Sequence, residues 1–438
     1  MGLPIAASAV GLHRPVTVAA AVTSGFILAG AFYLSARPPS TPTSTSTARG
    51  RQPPPFTPSP AKTAGSQKLS PSKGTICVDG EELPYPPEGA LPGGRDVETP
   101  YGSIRVYEWG PEDGDRVLFI HGISTPVVAL GDLGHEMVAR GHRVMMFDLF
   151  GRGYSDAPDD LTYDSRLYVT QLLLVLASSK TSWLASPGFR LIGYSLGGGL
   201  CVAFTRYFSH LVRSLVLIAP CGLIRPYHVG WRSWLYYNSG LLPEFLVRYL
   251  VRRRIRPDAA STRSDSGPNV ERAESERAVN GDGDANGGAN FDSAPISKRR
   301  PHTTVSDVVA WQVDHHEGFV AAFLSTIRSA PIYAPQEDWK ALSKLLRARR
   351  AGREEESGER NIEAGLEGGK VLIILGKNDG VIVADETMED ACGVLGQEGA
   401  EFAVIDGGHE IPFTCSEGVA ESIESFCQRG PYSHTSRR

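Results

Sequence analysis

Leu191-Ile192-Gly193-Tyr194-Ser195-Leu196-Gly197-Gly198-Gly199-Leu200 is the stretch on which the reading of this chain turns. Its centre fits the pattern G-x-S-x-G. A bare string of that kind arises by chance in roughly one of two chains with this Gly and Ser content, so the pattern alone decides little. The context decides more. An apolar run enters the motif and a helix-like stretch leaves it, which is the strand, sharp turn and helix that present a serine hydroxyl at the top of a sheet. Gly193 and Gly197 fit that turn because it forces residue 195 into a strained backbone conformation, where a flanking side chain would clash. The start of the following helix also leaves free N–H groups beside the hydroxyl.

Outward from the motif the pattern repeats. Ser103 to Trp109 alternates like a strand, and Arg116 to Ile120, Arg143 to Phe147, Arg190 to Tyr194 and Ser214 to Ala219 are short apolar runs. Helical stretches near 128–140, 164–180 and 196–209 lie between them. The theme returns at Val371 to Leu375 and Phe402 to Ile405. Short apolar strands alternating with helices predict an α/β fold, a mostly parallel sheet covered by helices on both faces.

A serine hydroxyl is a weak nucleophile and needs a base within hydrogen-bond reach. His409 follows the last strand through Asp406-Gly407-Gly408. The base needs a carboxylate that fixes its tautomer, and Asp379 follows the preceding strand through Gly376-Lys377-Asn378. Asp406, the rival acid, is too close in sequence to swing under the ring. Ser195, Asp379 and His409 thus fall at the carboxyl edge of one parallel sheet, where open α/β folds bind ligands. An oxyanion needs two preorganised donors. The backbone N–H of Leu196 is one, and the turn His121-Gly122-Ile123-Ser124 supplies the other, with Ile123 as donor, Gly122 allowing close approach and His121 bracing the loop.

These residues resemble the α/β-hydrolase superfamily, in its lid-bearing branch with His-Gly in the oxyanion loop. Asp148-Leu149-Phe150-Gly151-Arg152-Gly153-Tyr154-Ser155 is similar to that branch's D-x-x-G-x-G-x-S loop, a more specific string than G-x-S-x-G. The resemblance covers about 103 to 220 and 370 to 427. It implies that Asp148 and Arg152 pin that loop. Some relatives place the acid after the strand at Ser214 to Ala219, but Pro220-Cys221 offers no carboxylate, which supports Asp379. Relatives with an aspartate nucleophile act on haloalkanes or epoxides. A serine at 195 implies ester, thioester or amide chemistry with no metal or organic cofactor.

The rest of the chain frames that core. With 438 residues it can bury a large core, and a net charge of −5 gives no reason to expect nucleic acid. The run Pro15 to Ala36 carries no charge, and about 20 apolar residues span a bilayer, so residues 1–36 read as a membrane anchor or a cleaved signal. Arg37, Arg49 and Arg51 just beyond it favour a cytosolic catalytic domain over secretion, as does the lack of any Asn-x-Ser/Thr sequon. Residues 37–76 form a Pro/Ser/Thr-rich linker, with 37–73 an extended tether. The core occupies 77–221 and 370–438. Between them, 222–345 reads as a lid interrupted by a disordered insert at 256–303, with order returning through Val305, Val308, Val309, Phe319, Phe323 and Ile327 at helical spacing. Residues 346–369 read as a charged, flexible loop.

Six cysteines lack metal spacing and form no disulfide framework, though a single Cys415–Cys427 bridge stays open.

Two readings of the lid also stay open. Trp231 to Tyr237, Leu241-Leu242 and Phe245-Leu246 form either a greasy entrance or ordinary packing, and Arg248, Arg252, Arg253, Arg254 and Arg256 are either a solvated face or a headgroup site. The layout of anchor followed by hydrolase resembles membrane-anchored monoacylglycerol lipases, which implies a lipid or other hydrophobic ester as substrate. Acyl transfer or peptide cleavage by the same three residues, or a scaffold without catalysis, are the alternatives.

Overall fold

In a computed structural model of the chain, the described residues are 55–60, 77–78, 81–82, 91–185, 188–228, 237, 241–256, 289–333, 336–354 and 365–429. They all belong to the unit Pro54–Arg438. The uncharged run Pro15 to Ala36, the segment Trp231 to Tyr236 and residues 257–288 lie outside them. Among the described residues no helix is long and apolar enough to cross a membrane.

Eight strands form one sheet: β1 (Gly94–Thr99), β2 (Gly102–Trp109), β3 (Arg116–Ile120), β4 (Arg143–Phe147), β5 (Phe189–Tyr194), β6 (Val212–Ile218), β7 (Val371–Gly376) and β8 (Ala400–Ile405). Their order across the sheet is β8-β7-β6-β5-β3-β4-β2-β1. Pairings from β8 through β4 are parallel, and β2 is antiparallel to both its neighbours. The central strands are apolar because both faces are covered. Every residue of β5 and β7 is buried, and each large aliphatic or aromatic side chain so placed contributes about 1.5–3 kcal/mol. Strand β2 is buried along its whole length too, and its two charged residues are paired rather than solvated. Arg105 binds Asp96 at 2.6 Å and Glu108 receives Arg143 at 3.2 Å.

The helices that matter to the site are α1 (Gly131–Ala139), α2 (Ser165–Ala177), α3 (Leu196–Phe208), α4 (Glu244–Ile255), α5 (Ala289–Ser293), α6 (Val305–His315), α7 (Phe319–Ser329), α8 (Gln336–Glu354), α9 (Ala384–Leu395), α10 (Ile411–Thr414) and α11 (Ser416–Gln428). Asp164 caps α2 by accepting from the N–H groups of Arg166 and Leu167. Thr304 and Asp307 form a reciprocal capping box that starts α6 sharply.

The structure corrects the sequence reading in four places. Residues 289–303, placed in the disordered insert, are ordered: Phe291 and Ile296 are buried, and Pro295 pairs with Thr304. Two large apolar side chains suffice because the segment is also tied by polar bonds, with Asp132 of α1 accepting from Ser297 Oγ and from the Lys298 N–H. Residues 346–354, placed in the flexible loop, continue α8, since Leu342 and Leu346 at helical spacing are fully buried. Within the tether, residues 55–60 dock on the core. Phe56 and Thr57 pair with Pro158 and Ala157, and the Ser59 N–H donates to Asp156 Oδ1 at 2.7 Å. Finally, Cys415 and Cys427 are both free thiols. They sit at opposite ends of α11, roughly 18 Å apart by helical rise, far beyond disulfide reach.

Candidate active site

The turn between β5 and α3 carries Ser195 with φ at 53° and ψ at −118°. Such a backbone is strained for a residue with a side chain, and the surroundings hold it there. The Ser195 N–H donates to Ile218 O of β6, and its own carbonyl accepts from the N–H groups of Gly198 and Cys221, all at 2.9 Å. The flanking glycines are compulsory. A Cβ on Gly197 would lie 2.2 Å from Ile120 O, and one on Gly193 would lie 2.3 Å from Gly197 O. Leu196 opens α3, and Ser195 at the N-cap makes no side-chain cap bond, so that side chain leaves the N–H groups of the first turn untaken.

Asp379 and His409 follow β7 and β8 and converge on that hydroxyl. His409 Nδ1–H donates to Asp379 Oδ2 at 2.8 Å, which leaves Nε2, 3.1 Å from Ser195 Oγ, to accept the hydroxyl proton. The other oxygen of Asp379 accepts from the N–H groups of Val381 and Ile382, each at 2.8 Å. Three donors therefore fix a carboxylate whose side chain is wholly buried. Asp406 is exposed and takes no part. Cys221 does face the nucleophile, its Sγ 3.9 Å from Ser195 Oγ. Burial pushes that thiol up to about 12, so it stays neutral beside the serine.

The oxyanion-loop turn runs alongside. A Cβ on Gly122 would stand 3.4 Å from Ser195 Cβ. His121 is fully buried, and burial lowers its pKa to about 3, so the ring is neutral. Its two nitrogens have opposite duties. Nε2 accepts from the Leu149 N–H at 2.8 Å, which leaves Nδ1–H to donate to Gly122 O, also at 2.8 Å. The second bond orients the peptide whose N–H belongs to Ile123. Arg152 Nε–H donates to Ile123 O at 3.0 Å from within the fully buried D-x-x-G-x-G-x-S loop, and Asp148 accepts from the N–H groups of Val127 and Tyr154. Two loops carrying the motif residues are thereby locked to each other.

Several residues at the site carry no pattern in the sequence. Gln312 of α6 joins the two loops, Nε2 donating to Ser124 O at 2.8 Å and Oε1 accepting from the Gly153 N–H at 2.9 Å. Thr326 of α7 accepts from Arg152 at 3.0 Å. Tyr194 donates from its hydroxyl to His409 O at 2.9 Å. Phe291, from the insert, lays its ring 5.5 Å from the His409 ring and shields it. Only Tyr194 had a signal, its place inside the motif. Among the described residues no group of His, Cys, Asp and Glu side chains is arranged to hold a metal ion. The arrangement can pass a proton from a buried hydroxyl to an imidazole backed by a carboxylate.

Comparison with known proteins identifies the fold family. The model of a family described as the alpha/beta hydrolase fold matches residues 115–414. A serine hydrolase-like protein of Danio rerio is 29% identical over 129 residues, covering 29% of this chain and 38% of that protein. A 2-hydroxymuconate semialdehyde hydrolase of Pseudomonas sp. (strain CF600) is 31% identical over 127 residues, 28% of this chain and 43% of that one. The chain thus matches less than half the length of either relative. A crystal structure of a bacterial membrane phospholipase A superimposes with a TM-score of 0.50 at 16% identity, over 77% of this chain and 86% of that one.

Proposed function

Because the chain belongs to the α/β-hydrolase fold family, we propose that it is a serine hydrolase that cleaves carboxylic esters of hydrophobic acyl groups through an acyl-enzyme on Ser195. The observation that carries the reading is the unbroken chain of hydrogen bonds from Ser195 Oγ through His409 to Asp379. In this reading His409 takes the hydroxyl proton as Ser195 attacks the ester carbonyl. The N–H groups of Ile123 and Leu196 receive the oxyanion, and His409 returns the proton to the departing alcohol oxygen. Water then repeats the cycle on the acyl-enzyme. Asp379 keeps Nε2 of His409 the accepting nitrogen and offsets the positive charge the ring acquires.

Steady-state and burst kinetics on p-nitrophenyl esters of graded acyl length test this reading. It predicts a burst of nitrophenol equal to the enzyme concentration, absent in Ser195→Ala, with kcat/KM rising with acyl length. A rate unchanged by Ser195→Ala would overturn it. Adding a primary alcohol as competing acceptor separates hydrolysis from acyl transfer through the ester formed, and aminoacyl arylamides test peptide cleavage in the same way.

A further inference from the structure

We infer that the outer face of α4 is a docking surface for an anionic lipid bilayer. Helix α4 packs on α6 and α7 through Val247, Val251 and Ile255, and α6 in turn reaches the oxyanion loop through Gln312. It is therefore an outer layer above the site. Its far face and the residues leading into it present large apolar side chains to solvent: Phe245 is 73% and Tyr249 59% exposed on the helix, and Leu241, just before it, 72%. These are three of the seven most exposed large apolar residues among those described, and they lie within nine positions. Clustering of that kind marks a contact surface rather than random exposure.

The charge on this face selects the partner. The chain as a whole is acidic, at −5, yet Arg248, Arg252, Arg253 and Arg256 stand exposed on the same helix and its end. Among the described residues the carboxylates set against the exposed ones are Glu244 and Asp314, and Glu244 is shared with Arg328. Aromatic and aliphatic tips beside an arginine excess suit the interface of a membrane with a negative headgroup layer, where the rings sink to the acyl boundary and the guanidinium groups meet phosphates. The docked tether points the same way: Thr57 lies against Gly318 at the α6–α7 turn, so the segment following the uncharged N-terminal run meets the core on the side of these helices. This binding is separate from the ester chemistry at Ser195 and goes beyond it.

Co-sedimentation of the full chain with phosphatidylcholine vesicles, with and without phosphatidylserine, tests the inference. Any contribution of the run Pro15 to Ala36 appears on both vesicles, and Arg37, Arg49 and Arg51 beyond it act alike in every variant, so the change in the ratio of the two partition coefficients on substituting the α4 arginines isolates α4. A guanidinium near an anionic surface strengthens binding about 5-fold. The triple variant Arg248→Gln, Arg252→Gln, Arg253→Gln should therefore lower the ratio on the order of 100-fold, and Phe245→Ala with Tyr249→Ala should weaken binding to the anionic vesicles alone by roughly 10-fold. Fluorophosphonate labelling of Ser195 at the wild-type rate in each variant shows that the fold is intact. A ratio near one in the wild type, a ratio that survives the triple variant, or preference for a soluble polyanion such as heparin over the vesicles overturns the inference. Failure of wild-type labelling with the vesicle ratio intact would instead sink the ester reading alone.

Discussion

His121 allows a sharp test of how the oxyanion loop is held, because its two ring nitrogens can be replaced one at a time. The side chain is fully buried and makes two bonds of 2.8 Å, one to Gly122 O and one from the Leu149 N–H. Asparagine places an amide N–H where Nδ1 stood and keeps the Gly122 bond only. Glutamine places a carbonyl where Nε2 stood and keeps the Leu149 bond only. Each variant leaves one buried backbone group without a partner, at about 1–3 kcal/mol. Stability by urea unfolding should thus fall by a similar amount in both. Activity should not. Only the glutamine variant frees the Gly122–Ile123 peptide, whose N–H is the proposed oxyanion donor, and outright loss of such a donor costs about 10²–10³ in kcat. His121→Gln should lose on the order of 10- to 100-fold in kcat with little change in KM, and His121→Asn no more than a few-fold. Equal losses in the two variants, or the larger loss in asparagine, would refute the idea that the Gly122 bond sets the donor.

Three further outcomes follow from the same geometry. Gly197→Ala, with its Cβ 2.2 Å from a backbone carbonyl, should abolish soluble expression, whereas Gly393→Ala in α9, which meets nothing within 4 Å, should raise the melting temperature slightly. Burial lowers His121 to about 3 and His316 to about 4, while an unfolded histidine titrates near ~6.5; the unfolded chain therefore binds protons the fold refuses. Stability should fall by several kcal/mol as pH drops from about 6.5 towards 3, at about 1.4 kcal/mol for each tenfold weakening of proton affinity on folding. Asp292, raised to about 6 by burial, returns a smaller part of that between about 6 and 4, and a denaturation series with His316→Gln should show a flatter acid limb. Phe291→Ala uncovers the imidazole that the proposed mechanism uses to protonate the leaving oxygen, so the factor by which kcat/KM falls below wild type should vary among esters that differ in their alcohol and be the same for those that differ only in their acyl chain.

Much of the core was legible because its signals are local. The apolar runs of β3, β5, β6 and β7 mark strands buried on both faces, and the glycines around Ser195 mark a turn with no room for side chains. What escaped was held by partners distant in sequence. Strand β1, Gly94–Thr99, is an edge strand with alternating exposure and few apolar residues. Residues 55–60 look like tether because their order comes from Asp156. The segment around Phe291 looks like solvated insert because it carries few large apolar side chains and is tied largely by polar bonds to partners outside it, such as Asp132. Helix α8 hides its buried leucines behind a charged face. A lone glutamine such as Gln312 becomes meaningful only when Ser124 and Gly153 are brought to either side of it.

The most direct test of the central claim is the rate of fluorophosphonate labelling in the wild-type chain beside Ser195→Ala, His409→Ala and Asp379→Asn. Covalent labelling should be complete and confined to Ser195 in the wild type, absent in Ser195→Ala, and slowed by about 10⁴-fold when the acid is replaced by its amide, as tautomer control in such triads requires. Labelling that persists in Ser195→Ala, or proceeds at the wild-type rate in His409→Ala, would contradict the account.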